Sequence, residues 1–300
     1  MTPTIITLEN GLQRLRIVPD IGGGIAAWDR RSGTEWTPLF RPWNGQSADP
    51  YTLACFPLVP WSNRITGGGF AFDGECHPVK PNRIGEPYPI HGDGWLQPWK
   101  VSEHVGDSIT LTLESHHFDG NPYDYASTQK IMLLPSGLSI ELSVTHLGPR
   151  PLPYGLGLHP YFTRNAGTMV RSRASGVWLS GPDPIPVVHA TTLPPTWDYN
   201  QPALLEGPLI DNCFTGWDGE SVIAWPDRGW SVTMSMADSN GYSLLYRPPG
   251  LDYFCLEPIT HPIDAFHMEG RDGLVILSDG ETMRLTTRFL IDGQALANDG

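Results

Sequence analysis

The stretch LSIELSVT, residues 138–145, decides the fold class, because apolar and polar side chains alternate strictly along it. In an extended segment successive side chains point to opposite faces, so its four apolar residues would share one face and its polar residues the other. Two further stretches repeat the pattern, SITLTLE at 108–114 and SVTMSMA at 231–237. This alternation is typical of half-buried antiparallel strands.

Turn signals separate the alternating stretches, as at Pro135-Ser136-Gly137 and Asp279-Gly280. The sequence contains no convincing helix of three turns. We therefore predict an all-β fold, an antiparallel sandwich or super-sandwich of many short strands in one domain over residues 1–300. Residues 181–208 are rich in proline and poor in alternation, so we expect a long ordered loop or cover there.

The composition excludes several classes of partner. The chain has 300 residues, of which 40% are hydrophobic, and a net charge of −13. It has few lysines and no basic run, so we expect neither nucleic acid nor a membrane as a partner. No signal peptide is visible, and the four cysteines form no CxxC pair, which favours a cytoplasmic protein. Eleven tryptophans mildly favour a carbohydrate ligand.

The first candidate functional residue is His159, within GLGLHPYF. On an extended segment Gly155, Gly157 and His159 would share one face, while the leucines face the core. Glycine in a strand often marks the close approach of another group, so we expect open space in front of the His159 ring. Pro160 would hold the histidine in extended geometry. A histidine bonded to a backbone group in the core is the alternative.

The second candidate is Glu257, within YFCLEPITHP. Alternation would place Tyr253, Cys255 and Glu257 on one face of a strand and Phe254 and Leu256 on the other. A carboxylate at the end of so apolar a run must be paired, hydrogen-bonded or raised in pKa. It is either a general base or a structural carboxylate that accepts turn amides.

Three other stretches carry polar side chains among apolar residues. In PWSNRITGGG, Arg64 could bond substrate oxygens or form a buried ion pair, and Asn63 could orient it. In IHGDGW, His91 precedes a turn and Trp95, which together suggest a pocket wall. In LIDNCF, Asp211 ends an apolar pair and could bind substrate or initiate a turn.

Motifs for metal and cofactor chemistry are missing from the sequence. There is no HExxH, no CxxC pair, no calcium loop, no glycine-rich nucleotide fingerprint and no GxSxG. We therefore expect no metal and no cofactor.

These stretches, taken in this order, resemble the aldose 1-epimerase (galactose mutarotase) family. The likeness runs from the opening ITLENG to the last alternating strand near Phe289. The resemblance implies a galactose mutarotase-like β-super-sandwich and a cofactor-free interconversion of α and β sugar anomers.

The resemblance also implies roles for single residues. Glu257 is similar to the family's general base and His159 to its general acid. The residues expected to bind substrate are Asn63, Arg64, His91, Trp95 and Asp211. Many relatives carry histidine after the aspartate, whereas Asn212-Cys213-Phe214 follow here, so recognition of the sugar hydroxyls should differ.

Opening a pyranose requires a proton to leave the anomeric hydroxyl and another to reach the ring oxygen, which Glu257 and His159 would perform. The expected partner is a small-molecule sugar, and we expect a monomer or a weak homodimer. One alternative is an epimerase for an anionic sugar, a hexose 6-phosphate or a sulfosugar, with the anion bound by Lys80, Arg83 and Arg247. A glycosidase that uses Asp211 with Glu257, and a non-catalytic carbohydrate-binding protein, are the others.

Overall fold

A computed structural model of the protein describes residues 3–293, and strands dominate it. The strands are β1 (Ile6–Glu9), β2 (Gln13–Val18), β3 (Gly24–Ser32), β4 (Glu35–Pro38), β5 (Pro57–Leu58), β6 (Gly69–Phe72), β7 (Glu75–Pro78), β8 (Lys100–Val105), β9 (Ser108–His116), β10 (Asp124–Leu134), β11 (Gly137–His146), β12 (Leu152–Tyr154), β13 (Gly157–Leu158), β14 (Tyr161–Thr163), β15 (Met169–Ser172), β16 (Gly176–Ser180), β17 (Pro186–Ala190), β18 (Ala203–Leu204), β19 (Ile210–Thr215), β20 (Glu220–Trp225), β21 (Trp230–Ala237), β22 (Tyr242–Arg247), β23 (Tyr253–Ile259), β24 (Val275–Leu277) and β25 (Thr282–Asp292).

Single 3₁₀ turns are the only helical elements among the described residues. They are Pro50–Thr52, Gly94–Leu96, Phe118–Gly120, Pro195–Trp197, Pro226–Arg228, Ala265–His267 and Glu269–Arg271. None of the helices within 3–293 is long and apolar enough to cross a membrane.

Two large sheets form the body of the fold. One has the strand order β18-β15-β20-β21-β25-β11-β10-β9-β8. The other has the order β17-β16-β19-β22-β23-β13-β5, with β14 also paired to β23. A four-stranded sheet, β1-β2-β3-β4, and the ribbons β6-β7 and β12-β24 complete the set. The strand pairs within the described residues are antiparallel, so the predicted all-β antiparallel fold is confirmed.

The alternating stretches lie where the period predicts. All three belong to the nine-stranded sheet, in β9, β11 and β21, and β11 pairs with β10 on one side and β25 on the other. The four apolar side chains of 138–145 are fully buried, whereas Glu141 is exposed.

The eight-stranded sheet is buried on both faces. Phe254 and Leu256 of β23 belong to the main core cluster together with Ile140 of β11, so this face packs toward the nine-stranded sheet. Cys255 and Ile259, which alternate with them, belong to a second apolar cluster on the opposite face. That second face carries the candidate active site.

The expected long loop at residues 181–208 is wrong in part, because two short strands lie within it. Strand β17 adds an edge to the eight-stranded sheet and β18 adds an edge to the nine-stranded sheet. An edge strand has one neighbour and is open to solvent. Val187 and Val188 of β17 are accordingly 64% and 55% exposed. The period-2 pattern that marks a half-buried strand is absent there for this reason.

Candidate active site

The candidate residues meet on the second face of the eight-stranded sheet. Asp211 of β19 is in register with Tyr246 of β22, which is in register with Cys255 of β23. Glu257 lies two residues further along β23, on the same face. His159 lies between β13 and β14, both of which pair with β23. The sheet thus brings together residues that are about 100 positions apart in the chain.

These residues line a cavity of about 520 Å³, a size suited to a small-molecule ligand. Six of the seven predicted site residues line it. The lining residues are Tyr51, Asn63, Arg64, Arg83, Glu86, Ile90, His91, His159, Tyr161, Leu209, Asp211, Tyr246, Tyr253 and Glu257.

Trp95 is the predicted substrate-binding residue that does not line this cavity. Its indole N–H donates to the carbonyl oxygens of Ile90 and Gly92, and its ring packs edge-on against Tyr51. The indole is 2% exposed and belongs to the apolar layer behind the site. Trp95 thus supports the turn that holds His91 and does not line this cavity.

His159 and Glu257 form a buried acid–base pair. The distance from His159 Nε2 to Glu257 Oε1 is 3.4 Å, and the two side chains are 7% and 2% exposed. The imidazole is stacked between Phe56 and Tyr161, with ring centroids 4.8 and 4.7 Å away. Nδ1 of His159 and Oε2 of Glu257 have no hydrogen-bond partner in the described part of the chain. Such a pair is held rigidly and remains chemically available.

Burial shifts the pKa of both groups toward the uncharged form. It lowers the pKa of His159 to about 3, and the positive charge of Arg41 acts in the same direction. It raises the pKa of Glu257 well above its ordinary value; the charge of Asp211 adds to this, and Arg64 opposes it. A carboxylic acid beside a neutral imidazole has one titratable proton. A carboxylate beside an imidazolium has the same one, moved from the oxygen to the nitrogen. The two groups therefore titrate as a pair.

Two carboxylates hold Arg64. The guanidinium therefore forms the buried ion pair that the sequence offered as the alternative to substrate binding. Nε and Nη2 donate to Glu86 at 3.0 and 3.1 Å, and Nη1 lies 3.7 Å from Asp211 Oδ2. Nη1 also donates to the side-chain oxygen of Asn63. Burial raises the pKa of Asp211, the charge of Arg64 lowers it, and Glu86 raises it further. Arg64 nevertheless lines the cavity and can reach a ligand there.

The backbone fixes the tautomer of His91. The N–H of Asn63 donates to His91 Nδ1 at 3.0 Å, so the ring hydrogen lies on Nε2. Burial lowers the pKa of His91 well below its ordinary value, and the neighbouring His159 acts in the same direction. His91 is therefore a neutral hydrogen-bond donor at the cavity wall. The chain turns at Gly92, whose φ is +68°. Glycine is required there because a Cβ would lie 2.0 Å from the Val59 carbonyl oxygen.

The glycines of GLGLHPYF make room for protein side chains and not, as predicted, for a group in front of His159. A Cβ on Gly155 would lie 2.0 Å from Cδ2 of His261, and one on Gly157 would lie 2.9 Å from Ile259. Open space does lie at His159, which lines the cavity, but the glycines do not create it, because they make room for protein side chains. Strand β13 ends at Leu158 and β14 begins at Tyr161, so the stretch is not one continuous strand.

Several lining residues carry no readable sequence signal. Arg83 lies over the ring of Tyr51, with its guanidinium carbon 3.5 Å from the ring centroid, and pairs with Asp49. Glu86 reaches the site from an irregular loop in which no period operates. Tyr253 is different, since its alternation with Glu257 already predicted a shared face.

Three ligand-type side chains lie together at the site. The ligating atoms of His159, Cys255 and Glu257 are within 4.8 Å of one another. Within this group His159 Nε2 lies 3.4 Å from Glu257 Oε1. Burial and the neighbouring Glu257 also raise the pKa of the Cys255 thiol, which keeps its proton. A protonated thiol is a poor metal ligand, because the thiolate is the form that binds a metal ion.

Comparison with known proteins places this geometry in a family. The aldose 1-epimerase family model matches residues 4–290. The uncharacterized protein YphB of Escherichia coli (strain K12) is 35% identical over 286 residues, covering 93% of this chain and 96% of YphB. The crystal structure of a candidate aldose 1-epimerase from Escherichia coli K12 has a TM-score of 0.90 at 32% identity, covering 96% of this chain and 99% of that one.

A more distant structure shows the fold alone. The GalM/aldose epimerase homologue from C. elegans has a TM-score of 0.83 at 15% identity, covering 97% of this chain and 99% of the other. The protein is thus a galactose mutarotase-like β-sandwich with an acid–base pair in a polar cavity. The chain belongs to the aldose 1-epimerase family, an isomerase family whose name implies a sugar substrate.

Proposed function

We propose that the protein is an aldose 1-epimerase that interconverts the α and β anomers of a neutral sugar without a cofactor. The observation that carries the proposal is the His159–Glu257 pair, buried and 3.4 Å apart at the wall of a cavity of about 520 Å³. A proton donor and a proton acceptor side by side are what ring opening requires.

The reaction begins with the pair in its charged form, reached when the shared proton moves from Glu257 to His159. Glu257 removes the proton of the anomeric hydroxyl while His159 protonates the ring oxygen, so the C1–O5 bond breaks and a carbonyl forms at C1. The open aldehyde rotates about the bond from C1 to C2, and closure on the other face reverses both transfers. Each transfer contributes roughly 10²–10⁴-fold to the rate.

Two hydrogen-bond donors at the cavity wall, the neutral His91 and the cation Arg64, stabilise the charge that develops on substrate oxygens. His91 offers its Nε2–H group, and Arg64 offers Nη1 beside Asp211. Donors that are fixed before the substrate arrives need no reorganisation during the reaction.

The charges at the cavity favour a neutral sugar over an anionic one. The lining cations are Arg64 and Arg83, and the lining carboxylates are Glu86, Asp211 and Glu257. Each cation is already paired, Arg64 with Glu86 and Arg83 with Asp49. An incoming phosphate or sulfonate would have to compete with these carboxylates.

Two of the three cations considered for an anionic substrate lie elsewhere. Arg247 is fully buried and donates to Tyr199 and to the carbonyl oxygen of Pro208. Lys80 lines a separate cavity and donates to the carbonyl oxygen of Asp119. Only Arg83 of the three lines the candidate active site. We infer that an anionic sugar is not the preferred substrate.

Anomer exchange measured by NMR tests the proposal. The panel contains neutral hexoses and pentoses, a hexose 6-phosphate and a sulfosugar, and Glu257→Gln is the test variant. Glu141→Gln is the matched control, since Glu141 is an exposed glutamate on β11. We expect exchange of a neutral sugar that Glu257→Gln reduces by about 10²–10⁴-fold and the control leaves unchanged.

Other outcomes overturn the proposal in distinct ways. Sugar binding without exchange would favour a carbohydrate-binding protein. Release of phenol from an aryl glycoside would favour a glycosidase that uses Asp211 with Glu257. The single domain over residues 1–300 and the monomeric or weakly dimeric state stay predictions.

A further inference from the structure

Three consecutive backbone N–H groups at the site donate to side chains and not to a strand. The N–H of Ser62 donates to Nε2 of His261 at 3.0 Å, and the N–H of Asn63 to Nδ1 of His91 at 3.0 Å. The N–H of Arg64 donates to the side-chain oxygen of Asn63 at 3.0 Å. A buried backbone donor must find a partner. The position of this segment therefore depends on the side chains that accept these bonds.

His261 is built into this arrangement in one tautomer. Its Nδ1 lies 2.8 Å from the carbonyl oxygen of Pro262, which can only accept, so the ring hydrogen lies on Nδ1. Nε2 is then left as the acceptor for the Ser62 N–H. The ring is 1% exposed and lies four residues after Glu257, directly beyond the end of β23. It does not line the cavity.

Asp264 binds the same segment three residues further on. Its backbone N–H donates to the carbonyl oxygen of Arg64 at 3.1 Å. Its carboxylate accepts from the N–H and the hydroxyl of Thr66, at 2.9 and 2.8 Å. The turn His261–Asp264 thus holds residues 62–66 at both ends, and Arg64 lies between the two points of attachment.

We propose that His261 is a positioning residue, which through the Ser62 N–H sets the places of the substrate-binding residues Arg64 and His91 relative to the general base Glu257. This rests on the proposed function. The peptide that carries the Ser62 N–H leads directly to Asn63, whose own N–H fixes the His91 tautomer. A shift of Ser62 therefore reaches both substrate-binding side chains, while Glu257 and His159 stay fixed by the sheet.

A substitution at Gly155 offers a second way to move the His261 ring. Space for the His261 ring exists because residue 155 has no side chain; a Cβ there would lie 2.0 Å from Cδ2 and 2.4 Å from Nε2. The φ of Gly155 is not positive, so alanine is free of backbone strain at this position. Gly155→Ala therefore displaces the ring without removing it.

The test compares two replacements of His261. Glutamine offers a carbonyl oxygen near the place of Nε2, whereas leucine fills the space and accepts nothing. We expect His261→Leu to raise KM at least tenfold, which is about 1.4 kcal/mol of sugar binding, and to leave kcat within about threefold. We expect His261→Gln to keep KM within about threefold of the wild type, and Gly155→Ala to raise KM as His261→Leu does.

His146→Leu is the matched control. His146 is also 1% exposed and bonds through both ring nitrogens, to Tyr154 and to the carbonyl oxygen of Arg150, but it lies on β11. It should lower the free energy of unfolding without changing KM. If His261→Leu behaves like this control, or if glutamine fails to rescue KM, His261 is a structural residue only and the proposal is wrong.

A readout without turnover separates this proposal from the proposed function. The ¹⁵N resonances of the His91 ring should show an unprotonated Nδ1 in the wild type and in His261→Gln, and tautomer exchange in His261→Leu. A wild type that exchanges no sugar would overturn the proposed function while these resonances still judge the positioning role. Unchanged His91 resonances in His261→Leu would overturn the positioning role even in an active enzyme.

Discussion

Glu86 holds the guanidinium of Arg64 through two hydrogen bonds, from Nε to Oε2 at 3.0 Å and from Nη2 to Oε1 at 3.1 Å. This bidentate geometry is the strong form of the arginine–carboxylate pair. The charge of Arg64 is thus compensated before a substrate arrives, and Nη1 beside Asp211 is the part that remains for binding. We therefore expect Glu86 to disfavour the binding of anionic sugars.

The variant Glu86→Gln should discriminate less against anionic sugars. The amide keeps the size of the side chain but removes one negative charge, so Arg64 can pair with an anionic substrate. We expect kcat/KM for a hexose 6-phosphate to rise about tenfold relative to that for the neutral hexose, measured by NMR anomer exchange.

Glu220→Gln is the control for this variant, because Glu220 pairs with Arg171 at 2.7 Å and does not line the cavity. It should leave the ratio unchanged. An unchanged ratio in Glu86→Gln as well would show that Arg64 does not discriminate by charge.

Glu257→Gln should lose activity and gain stability together. The carboxyl group is buried with one unpartnered oxygen, and burial raises its pKa, so ionising it in the folded state is unfavourable. The amide removes that penalty above the pKa of the unfolded glutamate. We expect urea unfolding at pH 8 to give a free energy of unfolding about 1 kcal/mol higher than that of the wild type, together with the activity loss described above.

This gain should disappear at low pH, where Glu257 is protonated in both states. Glu141→Gln, at an exposed position, should leave the stability within about 0.5 kcal/mol of the wild type. A destabilised Glu257→Gln at pH 8 would mean that the carboxylate is held favourably in the folded protein.

The sheets were predictable from sequence because their signal is local. The period of 2 in residues 138–145 is a property of eight neighbouring residues, and the structure repeats it as alternating burial. The face of Glu257 was predictable for the same reason, since Tyr253 and Cys255 alternate with it on β23.

The partners across the site were not predictable by the same means. Gly155 is bare because of His261, which is 106 positions away, and no period connects the two. Glu86 reaches Arg64 from an irregular loop, where the backbone has no repeating direction. Trp95, four residues after His91, does not line the cavity because the chain turns at Gly92, and no pattern in IHGDGW reveals that turn.

The pH dependence of kcat/KM should reflect the shared proton of His159 and Glu257. The pair loses its proton as the pH rises through the raised pKa of Glu257 and gains a second one only near the lowered pKa of His159, about 3. We expect kcat/KM to fall on the alkaline side and to show no acid limb until the pH approaches the lowered pKa of His159. The uncatalysed rate is subtracted at each pH.

An acid limb near pH 6.5 would mean that the histidine titrates as an ordinary imidazole. In that case the burial of His159 between Phe56 and Tyr161 would not govern its protonation in the working enzyme.

The stability of the protein should fall in acid through His261. Burial lowers its pKa from 6.5 to about 4 in the folded protein. Below pH 6.5 the unfolded chain takes up a proton that the folded chain does not bind, so the wild type loses about 1.4 kcal/mol of stability per pH unit until the folded pKa is reached.

The variant His261→Gln has no titrating group at this position. We expect the stability of the wild type relative to His261→Gln to be constant above pH 7 and to fall by about 3 kcal/mol between pH 6.5 and pH 4. Urea unfolding of both proteins at constant ionic strength measures this difference, in which the other titrating groups cancel. A difference that does not change with pH would mean that His261 takes up a proton as readily in the folded state as in the unfolded chain, contrary to an Nε2 that is engaged by the Ser62 N–H.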